Sequence, residues 1–196
     1  YQRFNEAYDY RSVVSARRQI QARHRHQKII FSVDRLDYTK GVLNRLQAYE
    51  ELLNERNELR QKVVFIINVV PSREKHAKYA ERRKMIEEQV SHINGIYGNV
   101  HWQPILYQYS HLTFNQLVSF YSGCDVALVT PLRDGMNLVA KEYVAARTDL
   151  RGALVLSEFA GAAEQLQSAL LVNPHDIGAT ADATFRALSM PLEERR

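Results

Sequence analysis

Short apolar runs alternate along the chain with longer segments in which apolar and polar positions recur at helical spacing. The runs carry Val, Ile and Leu at consecutive positions, which is typical of strands that are buried on both faces of a parallel sheet. The pattern predicts strands at residues 28–33, 63–70, 100–106, 125–130, 152–157 and 169–174.

Helices are predicted between these strands, and two of their starts carry capping residues. Ser72 and Asn137 each precede a segment of helix formers and supply an oxygen for the first free N–H groups. A turn signal at Asn94-Gly95 is expected to end the second long helix. Helices are predicted at residues 42–60, 73–93, 113–121, 138–147 and 178–188, and a small-residue turn at 158–163 leads into another.

The alternation of strands and helices predicts an α/β fold, a Rossmann-like parallel sheet with helices on both faces and right-handed crossovers. A chain of 196 residues, 45% hydrophobic and 24% charged, fits one globular domain. We assign this domain to residues 28–196. Residues 1–27 are polar, basic and helix-prone, and we expect them to form a helical lead-in.

The formal net charge of +4 suits anionic ligands but does not by itself indicate nucleic acid. The first 28 residues hold a basic cluster, and a nucleic-acid patch is one interpretation of it. We favour a solvated helix face, because no aromatic side chains interleave with the charges, and we expect no nucleic-acid partner. The cluster consists of Arg17, Arg18, Arg23, Arg25 and Lys28 with His24 and His26.

Cysteine usage and hydropathy exclude a protein built on disulfides or cysteine-bound zinc and a protein that spans a membrane. The single cysteine, Cys124, excludes an internal disulfide and a cysteine-based zinc site, and we expect it to be a packed apolar residue. The longest apolar run, residues 63–70, is far shorter than the roughly 20 residues that cross a bilayer, so no membrane association is expected. No signal-peptide pattern follows Tyr1, both ends look cut from a longer chain, and we expect a cytoplasmic protein.

The loop after the fourth predicted strand carries the most distinctive residues. It reads PLRDGMNLVAKE at residues 131–142 and joins a buried strand to a helix. With Asn137 as N-cap, the free N–H groups of Leu138 and Val139 could face an anion, and Glu142 could reach a polar group nearby. The alternative is an ordinary capped loop with a solvated Asp134.

The loop after the first predicted strand brings two cations close together. Arg35 and Lys40 could grip a diphosphate, and Gly41 permits a close backbone approach. The alternative, equally weighted, is that both cations pair with Asp34 and Asp37. The loop after the second strand offers Arg73, which could contact a phosphate but more simply starts a solvated helix.

Several standard site motifs do not occur in the sequence. There is no G-x-G-x-x-G after a strand, no P-loop and no H-E-x-x-H. There is also no D-x-D pair to hold a metal-bound sugar nucleotide. We therefore expect no metal and no cofactor, and a bound diphosphate would have to be neutralised by Arg35, Lys40 and helix N-termini.

Several blocks of the sequence, in order, resemble the trehalose-6-phosphate synthases of glycosyltransferase family 20. The resemblance runs from about Lys28 to the C-terminus. The main blocks are SVDRLDYTKG at residues 32–41, RDGMNLVAKEYVA at 133–145 and LVLSEFAGAA at 154–163, with shorter ones at 93–95 and 169–174.

The resemblance implies a retaining, metal-independent glycosyltransferase that moves glucose from UDP-glucose to glucose 6-phosphate. It implies two Rossmann-like domains that face each other across a cleft, the GT-B arrangement. This chain resembles the C-terminal, nucleotide-sugar-binding domain, so residues 1–27 would lead in from a missing N-terminal domain, the expected partner. The predicted partners also include a second copy of the chain, in a homo-oligomer.

The resemblance also implies roles for individual residues. Arg35 and Lys40 match diphosphate-binding cations, and Asp134 matches the acid that contacts hydroxyls of the transferred glucose. Arg73 matches an arginine that reaches the phosphate of the acceptor. Leu112 falls where the family has a uracil contact, although residues 108–114 depart from the family pattern.

The segment around the predicted helix start carries the remaining implied contacts. The backbone amides of Leu138 and Val139 match those that meet the distal phosphate, and Glu142 matches the carboxylate that holds the ribose hydroxyls. Asn137, Ala140 and Lys141 complete the segment. The implied mechanism is a front-face displacement, in which the leaving phosphate takes the proton of the acceptor.

Two other functions remain open from the sequence. One is a related synthase with another phosphorylated acceptor, such as glycerol 3-phosphate. The other is a non-catalytic regulatory member that binds sugar nucleotide without turnover. The presence of Arg35, Lys40, Asp134 and Glu142 together counts against the second.

Overall fold

The computed structural model describes residues 1–72 and 77–195. Its centre is a sheet of six parallel strands. The strands are β1 (Lys28–Arg35), β2 (Val63–Val70), β3 (Ile105–Tyr109), β4 (Val126–Val129), β5 (Ala153–Ser157) and β6 (Leu170–Val172).

Helices precede, separate and follow the strands. Short 3₁₀ turns lie at Tyr38–Lys40, Asn57–Leu59, Gly161–Glu164 and Leu192–Arg195. None of the described helices is both long and apolar enough to span a membrane. The helices are α1 (Gln2–Ala7), α2 (Arg11–Arg23), α3 (Val42–Glu55), α4 (Ala77–Tyr97), α5 (Phe114–Gly123), α6 (Leu138–Ala146) and α7 (Ile177–Ser189).

The strand order is β3-β2-β1-β4-β5-β6, the order of a Rossmann fold. The chain builds the sheet outward from β1 in one direction and then returns to build it in the other from β4. β1 and β4 are therefore neighbours, and the connections that follow them leave on opposite faces. The carboxyl ends of these two strands form the topological switch point, where open α/β sheets bind ligands.

Two hydrophobic clusters cover the two faces of the sheet, because consecutive strand residues point to opposite sides. Ile30 lies in the first cluster with residues of α3, α4 and α7, and its neighbour Phe31 lies in the second with residues of α1, α2, α5 and α6. The lead-in helices thus pack on the domain: Ala7 and Val13 are fully buried, while most other residues of α1 and α2 are exposed. Cys124 is buried in the second cluster, as expected.

Some predicted boundaries are wrong. β1 continues to Arg35 because Asp34 and Arg35 still pair with Val69 and Val70 of β2. Helix α3 ends at Glu55, earlier than residue 60, and a 3₁₀ turn follows it.

The third predicted strand, 100–106, is misplaced toward the N-terminus. The observed strand β3 begins at Ile105. Residues 99–102 form a turn instead, in which the Asn99 carboxamide oxygen accepts from the N–H groups of His101 and Trp102, and Val100 is 93% exposed. The buried Trp102 indole, at the end of this turn, donates to the Val63 carbonyl.

The turn predicted at Asn94-Gly95 is also wrong, because α4 runs through both residues to Tyr97. The Asn94 carboxamide bonds both the N–H and the carbonyl of Ile105 at the start of β3. A residue type that usually ends helices here docks a helix onto a strand.

Candidate active site

Two loops meet at the switch point between β1 and β4. The first holds the 3₁₀ turn Tyr38–Lys40, and the second runs from Thr130 to Asn137. The backbone joins them, since the N–H groups of Leu132 and Arg133 both donate to the Thr39 carbonyl, at 2.7 and 3.3 Å. The loops therefore form one surface rather than two independent segments.

Gly41 allows this close approach. Its φ is +67°, and a Cβ at this position would lie 2.5 Å from the Thr130 carbonyl oxygen. A side chain would therefore be strained by its backbone angle and would also collide with the second loop. The backbone at Gly41 does make a close approach, but to the Thr130 carbonyl of the second loop.

Lys40 and Asp134 form an ion pair across the two loops. The Lys40 Nζ lies 2.6 Å from Asp134 Oδ2, and the two side chains are only 16% and 17% exposed. Asp34 and Asp37 bind elsewhere: Asp34 pairs with Arg45, and Asp37 accepts from the Thr39 N–H and hydroxyl. The alternative in which Arg35 and Lys40 pair with Asp34 and Asp37 is thus contradicted.

Asp134 is also bonded to the start of α6. Its Oδ1 accepts from the backbone N–H groups of Met136 and Asn137, and its Oδ2 accepts from the Asn137 carboxamide. Partial burial works to raise the pKa of Asp134, but Lys40 and the two N–H groups outweigh it and hold the pKa below 3.8. Asp134 is therefore a carboxylate at neutral pH.

Asn137 is the N-cap of α6, as predicted. Its Oδ1 accepts from the Ala140 N–H at 2.9 Å, and its φ of +63° is a left-handed conformation that Asn tolerates. The N–H groups of Leu138 and Val139 have no hydrogen-bond acceptor among the described residues. Leu138 is 58% exposed, so this helix end presents free donors and a positive dipole to an anion.

The loop after β5 supports the second loop from behind. The N–H of Asp134 donates to the Phe159 carbonyl, and the N–H of Gly161 donates back to the Asp134 carbonyl. A Cβ on Gly161 would lie 2.1 Å from the Gly135 carbonyl oxygen, so only glycine allows this approach. The site backbone is thus held by neighbours on both sides.

Glu142 lies in the second turn of α6, and its Oε2 accepts a hydrogen bond from the Tyr121 hydroxyl at 3.2 Å. Burial and the nearby Glu142 charge raise the pKa of Tyr121 well above 10. The phenol therefore stays protonated and orients the carboxylate, whose other oxygen remains available.

The remaining predicted residues lie in different environments. Arg35 is exposed at the carboxyl end of β1, where its guanidinium forms no hydrogen bond or ion pair with described residues. Leu112 is half-buried against the second hydrophobic cluster. Ala140 is buried, Lys141 is half-buried on α6, and Arg73 lies outside the described residues.

Sequence reasoning missed Arg45, which lies beneath the two loops. It is 1% exposed and bonds three segments: Nη1 to Asp34 Oδ2 at 2.6 Å, Nη2 to the Lys40 carbonyl at 2.9 Å and Nε to Thr130 Oγ1 at 3.1 Å. Its signal was visible, since a charged residue stands beside Leu46 on the apolar face of a predicted helix. Tyr121 was missed as well, because a tyrosine in an apolar segment gives no sign of its partner.

Comparison with known proteins places the chain in a family. All of residues 1–196 match the sequence profile of Glycosyltransferase family 20. This chain belongs to that family. The Trehalose-6-phosphate synthase of Mycobacterium avium is 52% identical over 170 residues, which are 87% of this chain and 35% of that protein. The Bifunctional trehalose-6-phosphate synthase/phosphatase of Thermoproteus tenax is 51% identical over 168 residues, 86% of this chain and 23% of that protein.

Solved structures of family 20 enzymes share the fold. An alpha,alpha-trehalose-phosphate synthase (UDP-forming) from Burkholderia xenovorans, in complex with glucose-6-phosphate, superposes with a TM-score of 0.94 at 43% identity. The match covers 98% of this chain and 42% of the Burkholderia chain. The Escherichia coli protein bound with UDP-2-fluoro glucose superposes with a TM-score of 0.94 at 42% identity. The match covers 99% of this chain and 43% of the Escherichia coli chain.

These similarities confirm the predicted fold class, a Rossmann-like parallel α/β sheet of the GT-B type. The chain spans well under half the length of the relatives and structures that it matches.

Proposed function

We propose that this chain is the donor-binding half of a retaining, metal-independent glucosyltransferase, a trehalose-6-phosphate synthase. It moves glucose from UDP-glucose to glucose 6-phosphate and gives trehalose 6-phosphate. The observation that carries the proposal is the convergence of Lys40, Asp134 and the free N–H groups of α6 at the switch point of the sheet. A cytoplasmic location and a homo-oligomer remain predictions.

The ligands of family 20 structures support this choice of substrates. The Burkholderia xenovorans structure is a complex with glucose-6-phosphate, and the Escherichia coli structure holds UDP-2-fluoro glucose. Both proteins share this fold at over 40% identity. We propose both substrates for the full-length protein and not for this chain alone, since binding of the acceptor would need the N-terminal domain.

In the proposed donor complex, the diphosphate binds between the first loop and the start of α6. The Leu138 and Val139 N–H groups donate to the distal phosphate, while Lys40 and Arg35 balance its charge. Lys40 already points at this place because Asp134 holds its ammonium. Arg35 is exposed beside it at the end of β1 and has no competing partner within the described chain.

Asp134 binds the hydroxyls of the glucose and does not take a proton. Its pKa is held below 3.8 because Lys40 and two backbone N–H groups outweigh the effect of burial, which makes it a weak base at neutral pH. The sugar C1–phosphate oxygen bond breaks while the acceptor oxygen bonds C1 on the same face. The acceptor proton passes to the departing phosphate oxygen, so no protein nucleophile is required.

The nucleoside is held farther along α6. Glu142, oriented by Tyr121, accepts hydrogen bonds from the ribose hydroxyls. Leu112 packs on the uracil, and Arg73 reaches the phosphate of the acceptor. Asn137, Ala140 and Lys141 shape the helix start between these contacts.

Calorimetric titration of this chain tests the donor assignment. We expect UDP and UDP-glucose to bind with EDTA present and ADP-glucose and GDP-glucose to bind more weakly. The variant Lys40→Met should lose most of the affinity. Absence of UDP binding, or binding that disappears with EDTA, would contradict the proposal.

An assay of the full-length protein tests the acceptor. Glucose 6-phosphate and glycerol 3-phosphate are offered with UDP-glucose, and the anomeric configuration of the product is read by NMR. Transfer to glucose 6-phosphate with an α-linked product supports the proposal. A preference for glycerol 3-phosphate would assign a related synthase.

A further inference from the structure

A buried arginine lies under the candidate site without facing the space that a ligand would occupy. Arg45 belongs to the first turn of α3, and its guanidinium points at the carboxyl edge of the sheet. A charged group is seldom buried unless its hydrogen bonds are well met, because removing it from water is costly. The partners of Arg45 therefore show what its burial achieves.

The three partners belong to three segments that the fold brings together. Asp34 is near the end of β1, the Lys40 carbonyl ends the 3₁₀ turn, and Thr130 begins the second loop. Each is bonded by a different nitrogen of one planar guanidinium, which fixes their relative positions. A lysine ammonium would keep the charge but could not bond all three along these directions.

We propose that Arg45 is a positioning residue, which fixes the backbone at Lys40 and thereby directs the Lys40 ammonium to Asp134 and to the diphosphate site. The bond from Nη2 reaches the carbonyl of Lys40 itself, so a shift of Arg45 moves the backbone that carries the catalytic cation. The bond from Nε holds Thr130, the first residue of the loop that carries Asp134.

Four charges of alternating sign lie together at this point of the fold. Asp34 pairs with Arg45 at 2.6 Å, and Lys40 pairs with Asp134 at 2.6 Å. The Lys40 and Asp134 charges also act on the buried Asp34 carboxylate, whose pKa burial raises above 3.8 despite Arg45. The buried pair lies beneath the partly exposed one and sets the position of its lysine.

The pKa of Asp134, measured by ¹³C NMR of its carboxyl carbon in this chain, tests the inference without any substrate. In Arg45→Lys the pKa should rise toward 3.8, because a displaced Lys40 no longer lowers it. In Lys40→Met the pKa should rise further. In the double variant it should equal that of Lys40→Met alone, since Arg45 acts through Lys40.

Two further variants separate positioning from stability. Thr130→Val removes one acceptor but keeps the Arg45–Asp34 pair, so it should fold and shift the Asp134 pKa in the same direction by less. Arg147→Lys is the matched control, since Arg147 is also buried but bonds carbonyls at the opposite edge of the sheet. It should lower stability and leave the Asp134 pKa unchanged.

Two results would overturn the inference. One is an Asp134 pKa that is the same in the wild type, Arg45→Lys and Thr130→Val, with all three folded. The other is a further rise on adding Arg45→Lys to Lys40→Met, which would mean that Arg45 acts on Asp134 directly.

Only the consequence for ligand binding rests on the proposed function. With that function, Arg45→Lys should weaken UDP binding about tenfold, which corresponds to the loss of one charge-assisted contact of about 1.4 kcal/mol. If UDP binds no variant and not the wild type either, the proposed function fails and the pKa result still decides the role of Arg45.

Discussion

A lysine and an aspartate form an ion pair at each of two edges of the parallel sheet, the carboxyl edge and the amino edge, but the two pairs differ in length and exposure. At the carboxyl edge, Lys40 and Asp134 pair at 2.6 Å and are 16% and 17% exposed. At the amino edge, Lys28 and Asp125 pair at 3.3 Å and are 52% and 25% exposed. The first pair is shorter and less exposed than the second, so water screens it less and it holds its lysine more firmly.

Each of these edges also has a buried arginine, and the two arginines differ in the groups that they bond. Arg147 bonds the carbonyls of Tyr121, Ser122 and Cys124, which are consecutive or nearly so, and closes the end of α5. Arg45 bonds the end of β1, the first loop and the second loop, and its partner in the second loop, Thr130, is 85 residues away. Arg147 satisfies the carbonyls at the end of one helix, whereas Arg45 connects the two loops of the candidate site. Two buried arginines therefore need not have the same role.

The largest expected effect separates the two arginines. Arg45→Met leaves the Asp34 carboxylate buried without its partner, which typically costs about 3–5 kcal/mol of unfolding free energy. Arg147→Met leaves helix-end carbonyls without a donor, while its acidic neighbour Asp149 stays partly hydrated, and should cost about 1–3 kcal/mol. Chemical denaturation of both variants measures the difference; equal losses would remove the distinction.

The second effect separates the two lysines. With the proposed function, Lys40→Met in the full-length protein should reduce turnover by about 10²–10³, since it would remove a preorganised positive charge from the developing phosphate charge. Lys28→Met should leave turnover within about twofold of the wild type, because its exposed pair contributes little. Steady-state kinetics with UDP-glucose and glucose 6-phosphate compares them. Near-normal turnover in Lys40→Met would refute its assignment.

The smallest effect separates two helix caps. Asn137 caps α6 at the site, and Asp176 caps α7 by accepting from the Ala179 N–H at 2.8 Å. Replacement of either by Ala should cost about 1 kcal/mol of unfolding free energy. Only Asn137→Ala should also weaken UDP binding, since it alone misplaces the free N–H groups of Leu138 and Val139. Calorimetry on both variants decides; parallel losses of affinity would contradict the site.

The sequence predicted elements well where apolar positions are continuous. β2 spans residues 63–70 as predicted, because every position of that run is buried or nearly so. It failed at the third strand and at Asn94, where one side chain binds a distant backbone group. Local preference cannot reveal such a partner, since it lies in another part of the chain.

Sequence alone determined the strand and helix alternation, and with it a parallel sheet with its strand-to-helix loops at one edge. It also determined the cap at Asn137, because an N-cap bond joins residues only three apart. The tertiary structure decided that Lys40 meets Asp134, 94 residues away, and that Arg45 lies beneath them. Contacts between loops depend on which strands become neighbours. The crossover from β3 through α5 to β4 places β4 beside β1 and sets that order, and no local pattern of residues records it.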